Sequence, residues 1–198
     1  MKHLLILLIS ILLLTSPLYG QKISVFYFGQ WNGVLGWFEN VNYKDKGIKY
    51  IGLTENGKPS GMGKSYYPDG RNYFGEWEDG GLHGQGIMTW SNGIRYEGEW
   101  KDGEQNGQGT YTNPNGIMYD GEWKNGTFNG HGTLTTPEGT KYVGEFMNGK
   151  FNGQGIGTTP NGSLMVGEWK NNSPWNITGY SKDGNIIGKW VNGKEIKQ

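Results

Sequence analysis

Along this chain apolar and polar residues alternate in short bursts with a period of two, and after the first twenty residues nowhere with the period of a helix. The exception comes first. Leu4 to Leu14 form an apolar run interrupted by Ser10 alone, preceded by Lys2 and followed by Ser16, Pro17 and the small Gly20. A positive start, a short apolar run and a helix-breaking end predict a signal peptide over residues 1–20, cleaved before Gln21. The alternative is a membrane anchor made by uncleaved residues 4–14. The expected destination is the periplasm, the medium or the cell surface.

The alternating bursts repeat. Tyr73-Phe74-Gly75-Glu76-Trp77 returns as Tyr96-Glu97-Gly98-Glu99-Trp100 and Tyr119-Asp120-Gly121-Glu122-Trp123. It returns again as Tyr142-Val143-Gly144-Glu145-Phe146 and Met165-Val166-Gly167-Glu168-Trp169, each step being 23 residues. Weaker copies lie at Tyr50-Ile51-Gly52 and Tyr27-Phe28-Gly29-Gln30-Trp31, and a last one at Ile187-Gly188-Lys189-Trp190. A second motif, Gly-x-Gly, follows in each unit (Gly84-Gln85-Gly86, Gly107-Gln108-Gly109, Gly130-His131-Gly132, Gly153-Gln154-Gly155), and a Pro-x-Gly or Ser-x-Gly turn closes it. Repeats at such a period are single supersecondary units that stack on their neighbours.

Two period-two segments separated by turn residues make a β-hairpin. The chain is therefore expected to be all-β: a single-layer antiparallel meander, elongated and twisted, of about 13–15 strands and roughly 60–70 Å long. The within-unit turn falls at Gly80, Gly103, Gly126 and Gly149, with His83, Asn106, Asn129 and Asn152 as candidates for left-handed backbone just after it. Alternation puts Tyr73, Gly75 and Trp77 on one face, with Tyr96, Gly98, Trp100, Tyr119, Gly121, Trp123, Tyr142, Gly144, Phe146, Gly167 and Trp169 as their equivalents. There the rings are expected to lie across bare glycine backbone, each contributing ~1.5–3 kcal/mol. The opposite face, with Glu76, Glu99, Glu122, Glu145 and Glu168 and rows of threonine, is expected to be polar and solvated.

The recurring Tyr-x-Gly-Glu-Trp and Gly-x-Gly residues resemble the MORN repeat. The resemblance covers residues 50–170 well, leaving 21–49 as an N-terminal cap with a degenerate repeat and 171–198 as a degenerate C-terminal repeat and cap. It implies a scaffold for protein partners, self-association, or attachment to a phospholipid surface. Most such arrays work inside cells, so the leader is a departure.

Composition narrows the field. Gly is the outlier at 37 residues, but aromatics reach 14%, which disordered glycine-rich chains lack. The 18 Lys and Arg are dispersed among 18 Asp and Glu, so no basic footprint for nucleic acid is expected. Cysteine is absent, which removes disulfides and thiolate metal sites. Equivalent glutamates in equivalent settings give no acid distinct from a base, and His83 and His131 are out of register with each other. No catalytic set, metal or cofactor is expected; the chain reads as a non-enzymatic scaffold. Trp31, Trp37 and Phe38 in the N-terminal cap, and Trp175, Tyr180 and Trp190 in the C-terminal one, are expected to stand exposed as binding anchors for a protein partner, with a lipid surface as the alternative.

Overall fold

The computed structural model describes residues 22–31, 34–39 and 47–196. The signal peptide read from residues 1–20 lies outside them, as does the side chain of Trp31. Among the described residues, sixteen strands form one antiparallel sheet. The N-terminal ones are β1 (Lys22–Trp31), β2 (Val34–Glu39), β3 (Ile48–Glu55) and β4 (Lys58–Tyr66). The regular hairpins follow: β5 (Asn72–Glu78) with β6 (Gly81–Thr89), β7 (Arg95–Lys101) with β8 (Glu104–Thr112), β9 (Met118–Lys124) with β10 (Thr127–Thr135), and β11 (Lys141–Met147) with β12 (Lys150–Thr158). The C-terminal strands are β13 (Leu164–Lys170), β14 (Ser173–Tyr180), β15 (Ile186–Val191) and β16 (Lys194–Ile196). The count exceeds the expected one because short edge strands form in both caps, where the repeat motif is too degenerate to announce them.

From β3 to β16 each strand pairs with its neighbour in sequence. The N-terminal end breaks that order: β1 pairs with β3 on one side and β2 on the other, so β2 is the edge. The expectation that sequence neighbours are always sheet neighbours fails here. The 10-residue β1 offers pairing groups on both sides, and β2 and β3 share it.

Each hairpin turns in two residues. Asp79-Gly80, Asp102-Gly103, Asn125-Gly126 and Asn148-Gly149 all have positive φ at both positions, the requirement of a type I′ turn, whose twist matches that of the strands. This corrects the expectation at His83, Asn106, Asn129 and Asn152. They lie inside the second strand, and the left-handed residues are the Asp or Asn before the turn glycine. The turns also lock units together: the N–H of Gly103 donates to Leu82 O at 3.0 Å, and that of Gly126 to Gln105 O at 3.0 Å.

The core is one face of the sheet. Tyr73, Tyr96 and Tyr119 are fully buried, with Trp77, Trp100, Trp123 and Phe146 beside them. Each tyrosine meets the aromatic residue of its own unit and that of the next edge-on: Tyr96 lies 5.1 Å from Trp100 and 4.9 Å from Trp123. A Cβ on Gly109 would sit 2.5 Å from Tyr96 Cε2 and 2.6 Å from its Cζ, so the ring lies directly on glycine backbone. The tyrosine hydroxyl then donates within the unit, Tyr96 to Glu99 O at 2.8 Å. Burial pushes the Tyr142 phenol up to about 12, and those of Tyr50, Tyr73, Tyr96 and Tyr119 in the same direction.

The opposite face is less polar than expected. Phe74, Val143 and Ile156 are exposed there, and Phe74 pairs with Ile87 as Val143 does with Ile156. The residue after each unit's tyrosine points to the glutamate face, and in these units it is apolar.

Candidate functional site

The glutamate row is structural. In each regular unit the second strand carries a β-bulge at the first glycine of Gly-x-Gly, which leaves the next N–H without a strand partner. The glutamate supplies one. Gln85, Gln108, His131 and Gln154 donate their backbone N–H to Glu76, Glu99, Glu122 and Glu145 at 2.8–2.9 Å. Each carboxylate is thus engaged within its own unit. Glu168, where the Gly-x-Gly motif is lost, accepts instead from the Asn176 side chain at 2.7 Å. Glu99→Ala should cost about 1 kcal/mol by leaving that N–H to water, and Glu99→Gln, which keeps an oxygen acceptor, clearly less. Urea denaturation of the two variants checks this; equal losses would mean that the acceptor is idle.

The histidines stay apart. His83 Nδ1 lies 3.1 Å from Glu78 and His131 Nδ1 3.6 Å from Glu122. Among the described residues no group of three or more His, Asp or Glu side chains converges on a metal position.

The expected anchors do not form one site. Trp37 is half-buried: its ring meets Phe28 at 5.1 Å, and Tyr50 and Trp77 each at 6.0 Å. Trp77 is on β5, four strands from β2, which on a flat sheet means about 19 Å. The N-terminal edge therefore curls over the aromatic face, and Trp37 caps the array from above instead of standing free. Phe38, next to it on β2, is half-buried too. Trp175 lies under Lys170, whose Nζ is 4.3 Å from the ring centre. Trp190 covers the backbone of Gly188, and Tyr180 ends β14, half-buried. All five side chains are half-buried instead of fully exposed.

A groove lies elsewhere on the aromatic face. One cavity of about 360 Å³ is closed at its N-terminal end by Phe28 and Trp37 and bounded by Tyr67, Trp90 and the turn glycines Gly80 and Gly103. A second, of about 410 Å³, runs on between Trp90, Tyr111 and Phe128. Trp90 and Gln105 line both, so the two cavities adjoin at those side chains. The cause is a departure from the repeat. Phe128 and Phe151 fill the face by stacking on the tyrosines of their own units, with ring centres 3.8 Å apart in both pairs. Gln105 holds the equivalent place in the unit of Tyr96 and brings no ring.

Sequence reasoning missed Tyr67, Trp90 and Gln105, though it held a signal for them. Tyr67 and Trp90 occupy one repeat position in adjacent units, and Asn113, Thr136 and Thr159 occupy it afterwards. Gln105 interrupts the series Pro59, Leu82, Phe128, Phe151. At one end of the groove Arg71 lies over Tyr67, its guanidinium carbon 4.5 Å from the ring centre, and its Nε bonds Asp69 at 2.7 Å. The Arg71 backbone N–H holds the Asp69 carboxyl below its ordinary range.

Comparison with known proteins agrees with the geometry. The model of the MORN repeat matches residues 50–70, 73–95, 96–118, 119–141 and 142–164. No curated protein matches the chain. Among solved structures, the chain is similar to the SAS-4 (dCPAP) TCP domain of Drosophila melanogaster, in complex with a proline-rich motif of Ana2 (dSTIL). The identity is 16%, the TM-score 0.43, and the match covers 69% of this chain and 82% of that one. A likeness so distant bears on neither ligand nor partner.

Proposed function

The chain belongs to the MORN repeat family, matched over five consecutive units, and from that premise we propose that it is an exported, non-enzymatic scaffold that holds a partner protein along its aromatic groove. Repeats of this family are found in protein-interaction and in membrane- or phospholipid-binding proteins. The observation that favours a protein partner is the pair of adjoining cavities that share Trp90 and Gln105, walled by rings and turn backbone. A lipid surface would call for a basic strip, and among the described residues the only basic one lining these two cavities, Arg71, is already paired with Asp69. Export is supported by the leader sequence.

The test is photo-crosslinking in the native compartment, with the reactive group placed at Gln105 in one variant and at Phe74 on the opposite face in another. The expected result is a protein adduct from Gln105 and none from Phe74. Adducts from Phe74 alone would overturn the assignment. So would flotation of the chain with anionic liposomes that is abolished by salt, which would move the reading to phospholipid binding.

A further inference from the structure

We infer that the cavity of about 360 Å³ recognises a neutral pyranose sugar, packed against the Trp90 ring and hydrogen-bonded by Gln105 and Arg71. This rests on the scaffold reading above and names the chemistry that the groove would recognise.

Trp90 differs from the other indoles lining this face. Trp77, Trp100 and Trp123 stand edge-on to tyrosines, with ring centres 4.9–5.5 Å apart. Trp90 packs against the same core and is half-buried, yet it meets no other ring and no cation among the described residues. Its ring is therefore a cavity wall that the lattice of rings does not use. The face of an indole is electron-rich. The C–H groups on one face of a pyranose are drawn weakly positive by the neighbouring oxygens, so the two surfaces attract.

The same cavity is lined by polar groups that the fold leaves idle. Gln105 holds the place from which Phe128 and Phe151 stack on tyrosines at 3.8 Å. The unit of Tyr96 forgoes that contact for an amide, and the amide bonds nothing among the described residues. Arg71 bonds Asp69 through Nε at 2.7 Å, and its terminal nitrogens have no partner there. Trp77 departs from its equivalents too. Trp100, Trp123 and Trp169 donate their indole N–H to a glycine carbonyl at 3.0–3.3 Å, whereas the N–H of the nearly fully buried Trp77 has no partner among the described residues. Unpaired buried polar groups are uncommon in folded chains, and this one belongs to a residue that lines the cavity with Trp90, Gln105 and Arg71.

A sugar answers both halves of such a lining. Its C–H face covers a ring, and its hydroxyls both donate and accept. A hydrocarbon would cover the ring and strand the amide and guanidinium. A charged ligand would find only Arg71 among the described lining residues, and Asp69 already meets that charge. A pyranose ring is rigid, so it gives up less freedom on entering than a peptide segment does. The volume lies within the ~300–1,000 Å³ of small-molecule sites.

The experiment titrates the full chain with maltohexaose, cellohexaose and the hexamer of N-acetylglucosamine, followed by tryptophan fluorescence and calorimetry. The expected result is saturable binding of at least one, with Kd about 0.1–1 mM. Binding should fall about tenfold or more in Trp90→Ala and in Gln105→Leu, and stay unchanged in Phe74→Ala. Gln105→Leu guards against misfolding as a cause, since Leu82 holds the equivalent place one unit earlier. That variant should be as stable as the parent in urea while losing the sugar. No saturable binding up to about 10 mM, or binding indifferent to both cavity variants, overturns the inference. If the native partner still crosslinks from Gln105 in that case, the scaffold reading stands. An oligosaccharide that binds and suppresses the Gln105 crosslink places the sugar on the partner; one that binds and leaves the crosslink intact shows a free glycan held beside it. Crosslinks from Phe74 alone remove the scaffold reading, and the titration still decides the sugar site.

Discussion

Gly109→Ala is expected to destabilise the array by about 3 kcal/mol, although the residue has ordinary extended backbone and its neighbours are small. The added Cβ would meet the Tyr96 hydroxyl and lie 2.5 Å from its ring. The ring cannot retreat, because Trp100 and Trp123 hold it edge-on from both sides. The informative control is Gly103→Ala in the same unit. Gly103 has φ +84°, yet nothing lies within 4 Å of a Cβ built there. Its cost is backbone strain alone, about 1–2 kcal/mol. Urea denaturation of the two variants gives the order. If the turn glycine proves the costlier, ring-on-backbone packing is not what holds this single layer together. Combining Gly109→Ala with Tyr96→Ala gives a second reading: the pair should cost much less than the sum of the two singles, since the clash needs the ring.

Trp100→Ala should cost about 3–5 kcal/mol. The indole is nearly fully buried, meets Tyr73 at 5.5 Å and Tyr96 at 5.1 Å, and donates its Nε1–H to Gly86 O at 3.2 Å. It therefore ties two units. In a stack stabilised by nearest-neighbour contacts, loss of one tie lets the two sides unfold separately. Hydrogen exchange should show β3 to β6 opening apart from β9 to β12, where the parent opens as one block. Trp100→Phe should cost less, since Phe146 fills the equivalent place in its own unit between Tyr119 and Tyr142. A single sharp transition in Trp100→Ala, with uniform exchange, would show that the coupling runs through backbone pairing and not through the rings.

Much of this was legible beforehand. The 23-residue step and the period-two alternation placed Tyr96, Gly98 and Trp100 on one buried face, and the structure keeps them there. The glutamates were assigned to the other face, as observed. Their task was not readable, because a bulge at Gly107 has to form before the N–H of Gln108 is left for Glu99 to bind. Phe74 and Val143 stand at the variable position of the repeat, which Glu97 and Asp120 fill in other units, so no recurrence marks it as apolar.

The sequence by itself determined the unit: where strands run, which turns close them and which side chains share a face. Those properties depend on residues a few positions apart and on backbone preferences that act locally. Only the tertiary structure decided that β2 becomes the edge, that Trp37 reaches Trp77, and that Trp90 and Gln105 line the same two cavities. Twist and bulge bending are small at each strand and add up over many. The curl they produce brings together side chains that no local pattern connects.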